Sequence, residues 1–159
     1  MITDQRYDRT PAWAPGGGQI AFAAGTVAGE PTVIALLNVD GSAYTPLAGT
    51  GSSDFAPAWS PDGLRIAFAS YARGDQDLWV MSRTGENLVQ LTRGAATDVG
   101  PSWSPDGQYL VFASDRGEGG SFDLYAMRTD CASPEEGCED DALRLTDDPA
   151  DELDPAWAR

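Results

Sequence analysis

One stretch of the chain recurs and constrains what the rest can fold into. Pro57-Ala58-Trp59-Ser60-Pro61-Asp62-Gly63-Leu64-Arg65-Ile66-Ala67-Phe68-Ala69-Ser70 returns as Pro101-Ser102-Trp103-Ser104-Pro105-Asp106-Gly107-Gln108-Tyr109-Leu110-Val111-Phe112-Ala113-Ser114. A worn copy runs from Pro11 to Ala24 with Gly16-Gly17-Gly18 at its turn, and Pro155-Ala156-Trp157 opens a fourth. The tryptophans of these copies stand 46, 44 and 54 residues apart. Self-similarity at such a period marks a repeat architecture, and a unit of about 40–45 residues rich in short strands fits the blade of a β-propeller.

The motif has a direct physical reading. Pro-x-Trp-Ser is expected to begin a short strand, because a proline suits a first position where no ladder N–H is needed. Pro-Asp-Gly is a tight turn: proline presets φ, aspartate bonds back to the backbone and glycine takes φ > 0. In Ile66-Ala67-Phe68-Ala69 large residues point one way and alanines the other, as in a strand sandwiched between neighbouring sheets.

Each unit carries four such strand segments. The first has Pro11–Ala14, Ile20–Ala24, Val33–Leu37 and Tyr44–Leu47; the second has Pro57–Ser60, Arg65–Ser70, Leu78–Ser82 and Leu88–Leu91. The third has Pro101–Ser104, Tyr109–Ser114, Leu124–Arg128 and Leu143–Leu145. The expected fold is all-β, a propeller of four-stranded antiparallel blades spanning about 10–47, 57–91 and 101–146. Residues 155–159 start a further repeat or act as a clasp strand.

Composition excludes several functions. Ten cationic side chains, all arginine, face 25 carboxylates, for a net charge of −15. That charge repels nucleic acid and anionic membrane. No apolar run approaches the roughly 20 residues of a membrane span. Met1-Ile2-Thr3-Asp4 does not read as a signal peptide, and a leader on a longer parent chain stays open. There is no histidine, hence no Ser-His-Asp or Cys-His arrangement, and no phosphate loop is present, so an enzyme is not expected.

The remaining candidates are cysteines and acids. Cys131 and Cys138 lack the further ligands of a zinc site; they read as a loop disulfide, implying an oxidising compartment, or alternatively as two free thiols. Asn38-x-Asp40-Gly41 lacks the other ligands of a calcium loop and reads as a hairpin turn. Asp77 and Asp123 stand just before the third strands and are expected to bond backbone N–H groups there. Three residues before each Pro-x-Trp is an acid: Asp8, Asp54, Asp98 and, in the fourth copy, Glu152. On the connection between blades these acids would form a ring at the channel mouth. Either Asp54 and Asp98, with Asp8 as a weaker member, hold Ca2+ or another hard cation, or each caps its own turn.

Pro-x-Trp-Ser-Pro-Asp-Gly-x-x-Ile-Ala-Phe-x-Ser, followed by Asp-Leu-aromatic-x-Met and Leu-Thr, resembles the WD-like repeat of TolB-type β-propellers. Similar repeats occur in the propellers of tricorn-type and prolyl-oligopeptidase-type peptidases. The resemblance implies six blades in the whole ring, half of them here, and a non-catalytic scaffold for protein–protein interaction. It further implies a partner at the channel face and a periplasmic or extracellular setting. An accessory propeller of such a peptidase is the alternative, and a structural subunit of a polymer is another. Three blades leave two apolar interblade faces open, which predicts a homodimer closing the ring or a strand-exchanged polymer.

Overall fold

The computed structural model describes all residues except 1–6, 26–29, 48, 118, 131–137, 139–141, 148–149 and 158–159. Twelve strands form three four-stranded sheets, each an antiparallel meander in chain order, and no helix occurs among the described residues. The first sheet holds β1 (Arg9–Trp13), β2 (Gln19–Ala24), β3 (Val33–Asn38) and β4 (Tyr44–Pro46). The second holds β5 (Asp54–Trp59), β6 (Arg65–Ser70), β7 (Asp77–Ser82) and β8 (Val89–Gln90). The third holds β9 (Asp98–Trp103), β10 (Tyr109–Ser114), β11 (Asp123–Arg128) and β12 (Leu143–Arg144). The inner strands β1, β5 and β9 lie side by side, so the sheets stack as successive blades.

The alternation in the middle strands decides how blades stack. Ile66 and Phe68 belong to the cluster shared with the first blade, together with Ala21, Ile34 and Leu36. Ala67 and Ala69, on the opposite face of β6, belong to the cluster shared with the third blade, beside Leu110, Phe112 and Met127. Large residues of one blade therefore press onto alanines of the blade before it. Phe68 and Phe112 are fully buried by this arrangement, each contributing about 1.5–3 kcal/mol of transfer free energy. On the first blade the same alternation puts Phe22 in a cluster of its own with Ala24, Ala35 and Leu37. Phe22 is itself only 5% exposed, so the open face expected there is smaller than the pattern suggests.

The Ser-Pro-Asp-Gly turns are held by a small cage. Ser60 Oγ donates to Asp62 Oδ1 at 2.5 Å, Leu64 N–H donates to the same oxygen at 2.9 Å, and Arg65 N–H donates to Ser60 Oγ at 2.9 Å. Ser104, Asp106, Gln108 and Tyr109 repeat this set, and Gly63 and Gly107 take φ of 69° and 71°. Those hydrogen bonds, the serine hydroxyl's first, hold the Asp62 and Asp106 carboxyls below the ordinary aspartate range. Ala14 and Gly16 offer no such side chains, so the first turn has only its backbone bonds. Ser60→Ala is expected to cost about 1–2 kcal/mol in urea unfolding, since it strips a buried hydroxyl with several partners. Because the native carboxyl titrates lower than the unfolded one, the turn's contribution is complete above the unfolded aspartate pKa. It fades as pH falls through the native value. The gap between wild type and Ser60→Ala should therefore narrow in strong acid.

Strand starts depart from the sequence reading. β5 and β9 begin at Asp54 and Asp98, three residues before the prolines. Register shifts mark a bulge in each inner strand, and the residue before each proline takes positive φ: Thr10 49°, Ala56 49°, Gly100 62° and, in the fourth copy, Asp154 55°. The bulge accommodates a proline inside the strand rather than at its head. Asp40 closes the β3–β4 turn by accepting from Ser42 N–H at 2.8 Å and Ser42 Oγ at 2.6 Å, as a hairpin turn requires. Cys138 is buried and disulfide-bonded, while Cys131 lies outside the described residues.

Candidate functional site

The inner strands build a concave face. A cavity of about 470 Å³ on it is lined by Trp13, Trp59, Trp103 and Trp157, interleaved with Pro15, Pro61 and Pro105. The repeat fixes Trp13, Trp59 and Trp103 at the ends of the inner strands, and the following turn sets a proline beside each. Their exposures differ: Trp59 and Trp103 are buried at 9% and 6%, Trp13 and Trp157 are open at 64% and 39%.

The buried pair joins blades. Trp103 Nε1 donates to the Ala58 carbonyl of the second blade at 3.1 Å, and the Arg65 guanidinium lies 4.5 Å from the Trp103 ring centroid. Pro61 packs against Gly107, as Pro15 does against Gly63. Trp59 Nε1 is buried without a hydrogen-bond partner, although it stands one repeat from Trp103.

The recurring acids sit at the other end of these strands. Asp54 and Asp98 are fully buried and lie in register with Ser70 and Ser114 of the middle strands, which in turn oppose Asp77 and Asp123. A buried Asp–Ser–Asp row thus crosses the second and third blades. Blade three neutralises its row with arginine. Arg116 Nη2 reaches both Asp98 oxygens at 2.9 Å while its Nε donates to Ser114 Oγ at 2.8 Å, and Arg144 Nη2 reaches Asp123 Oδ2 at 2.6 Å. Blade two uses hydroxyls and amides. Thr50 donates from Oγ1 and N–H to the Asp54 carboxylate at 2.6 and 3.1 Å, and Gln90 Nε2 donates to Asp77 at 2.9 Å. Burial outweighs those bonds at Asp54 and pushes its carboxyl upward. Gly49 is required there, because a Cβ would collide with the carboxylate.

Asp123 departs from the sequence reading: it opens β11 and accepts from the side chain of Arg144 in the outer strand, while Asp77 opens β7 and accepts from Gln90. Asp54 and Asp98 have partners inside their own repeat, and Asp8 keeps one buried oxygen, Oδ1, without a hydrogen-bond partner. Among the described residues no three His, Cys, Asp or Glu side chains come together as a metal site would need. With Asp98 held by an arginine and Asp54 by hydroxyls, addition of millimolar calcium should leave the melting temperature unchanged. A rise that disappears with chelator, and is abolished by Asp98→Ala, would instead support the cation ring. What the sequence did not show is Arg116 and Arg144 as the counter-charges; the signal was present as an arginine two residues past Ser114 and another in the outer strand.

Comparison with known proteins agrees with this architecture. The family model described as TolB beta propeller domain matches residues 1–147. Among solved structures, a putative TolB from Agrobacterium tumefaciens superposes with TM-score 0.74 at 21% identity, covering 91% of this chain and 51% of that one. TolB from Acinetobacter baumannii gives TM-score 0.72 at 21% identity, covering 98% and 36%. The β-propeller domain of the Trilobed protease from Pyrococcus furiosus gives 0.64 at 16% identity, covering 90% and 44%. This chain thus spans about half or less of the length of those structures. Among curated proteins none matches. With the repeat, the three meander blades and the family match over most of its length in agreement, the chain belongs to the TolB β-propeller domain family.

Proposed function

We propose that the chain is a non-catalytic β-propeller scaffold that binds a protein partner on its concave, tryptophan-lined face, in the periplasm or outside the cell. The observation that carries this reading is the cavity of about 470 Å³ in which the tryptophans and prolines of successive repeats converge. Two of the tryptophans are buried as blade-to-blade joints, while Trp13 and Trp157 are open in the same cavity. Exposed indoles give large contact area at low entropic cost, which is why tryptophan is enriched at binding hot spots. The disulfide-bonded Cys138 supports an oxidising compartment. No helix of the described residues is long and apolar enough to cross a membrane.

The test is crosslinked capture from an envelope extract, comparing wild type, Trp13→Ala/Trp157→Ala and Leu64→Ala, the last an exposed residue on a turn. Capture by wild type and Leu64→Ala, lost in the tryptophan double variant, is expected. Equal capture by all three would contradict the concave face. The second reading, an accessory propeller of a peptidase, is favoured by structural likeness to the β-propeller domain of the Trilobed protease and to a prolyl endopeptidase. Recovery of an α/β-hydrolase domain as the captured partner would select it. The same scaffold reading includes self-completion: two copies close a six-bladed ring, with an open strand-exchanged polymer as the alternative.

A further inference from the structure

We propose that the crevice between blades two and three, beside Arg65, binds a small ligand in which a carboxylate is joined to an apolar chain. The second strands β2, β6 and β10 open on Gln19, Arg65 and Tyr109, which the register sets opposite Asn38, Ser82 and Arg128 of the third strands. In blades one and three the facing side chains bond one another. Gln19 Nε2 donates to Asn38 Oδ1 at 2.9 Å, and Arg128 Nη1 donates to the Tyr109 hydroxyl at 3.4 Å. Blade two breaks the pattern. Ser82 is committed to its own turn, where its hydroxyl meets Thr84 Oγ1 at 2.8 Å and accepts from Glu86 N–H at 3.1 Å. Arg65 turns across the blade boundary instead. Its guanidinium carbon lies 4.5 Å from the Trp103 ring centroid, and Nη2 makes one long bond, 3.4 Å, to the Gly107 carbonyl. Arg116, Arg128 and Arg144 each hold an aspartate, but among the described residues no carboxylate comes within ion-pair distance of Arg65. With 25 carboxylates in the chain against ten arginines, that is not for want of acids. Most of the guanidinium's fork of N–H donors is left without a protein partner.

The space beside this arginine is shaped for an amphipathic guest. A cavity of about 290 Å³ is lined on blade two by Arg65, Val80, Asn87, Val89 and Leu91, and on blade three by Thr129. Strand register explains its apolar wall. Val80 stands opposite both Ala67 and Val89, so these three and Arg65 project from the face of blade two that meets blade three. Val80 and Val89 are only partly buried at the margin of the core shared by the two blades. The cavity therefore has a cation at one side and branched apolar side chains along another. A planar guanidinium matches a carboxylate with two parallel N–H···O bonds, which fixes the charged end of the ligand. Its volume is at the small end for ligand cavities and suits an acyl chain of about eight carbons or fewer. Both blades that form it are complete four-stranded sheets, and it shares no lining residue with the tryptophan-lined cavity. The site thus stands independently of the protein partner proposed above.

The experiment titrates the chain with octanoate by isothermal calorimetry, beside octanol, which keeps the chain without the charge, and acetate, which keeps the charge without the chain. Octanoate should bind wild type at least about ten-fold more tightly than either. Arg65→Met retains an apolar stem over Trp103 and removes the charge, so its affinity for octanoate should fall to that for octanol. Val89→Phe narrows the crevice and leaves Arg65 in place, and should weaken octanoate and octanol alike. The comparison of the three ligands on wild type needs no variant, so it decides the matter even where a substitution disturbs folding. No heat with octanoate at millimolar concentration would overturn the site. Equal affinity for octanoate and octanol, or an Arg65→Met variant that binds octanoate as wild type does, would overturn the role of the arginine and the proposal with it.

Discussion

Arg116→Ala is expected to be among the most damaging single substitutions in the chain, costing about 3–5 kcal/mol in equilibrium unfolding, because it leaves a fully buried carboxylate without its counter-charge. Asp98 is 0% exposed, and both of its oxygens are taken by the guanidinium at 2.9 Å. The same arginine lies 5.2 Å from the Phe112 and Tyr125 ring centroids, so it also covers apolar surface. A double variant, Asp98→Asn with Arg116→Met, should recover much of the loss, since removing both charges of a buried pair is far milder than removing one. Equal losses in the single and double variants would show that the arginine acts by packing rather than by charge. The solvent-exposed Arg128–Asp130 pair, at 2.7 Å, serves as the control: Arg128→Ala should leave the unfolding midpoint nearly unchanged.

Phe68→Ala should cost about 3–5 kcal/mol, and its effect should spread beyond its own blade. The ring is fully buried on the face of β6 that meets Ala21, Ile34 and Leu36 of blade one, so the cavity opens at a blade boundary. Urea unfolding should show the lower midpoint, and hydrogen exchange should show faster exchange in β2 as well as β6. Phe22→Ala, the equivalent position of blade one, should cost less because among the described residues its cluster is smaller: Ile20, Ala24, Ala35 and Leu37, with Tyr44 beside the ring.

The fold was readable because its determinants are local. Alternation of large residues and alanines names a strand buried on both faces, and Ser-Pro-Asp-Gly names its turn, so β6 and β10 have the bounds the pattern predicts. The inner strands were not readable at their starts. Their early beginning depends on a bulge in which Ala56 takes a left-handed φ directly before Pro57, a conformation that neither residue advertises. The acids show the same boundary between local and distant information. Their recurrence three residues ahead of each Pro-x-Trp was plain, but where their carboxylates turn is decided by partners elsewhere in the chain. Arg116 lies 18 residues from Asp98 and Arg144 lies 21 from Asp123, and strand register alone brings them together. Likewise nothing local says that Trp103 reaches back to Ala58, 45 residues earlier, while Trp59 leaves its N–H unmatched.

The measurement that tests the account most directly is amide hydrogen exchange along the whole chain. Three successive blades of one design predict protection that recurs at the spacing of the tryptophans, slowest in the middle and third strands of each unit: β2 and β3, β6 and β7, β10 and β11. Turns at Gly63 and Gly107 should exchange fast between protected stretches. Protection without that period, or confined to one unit while the others exchange freely, would contradict the propeller and every functional reading built on it.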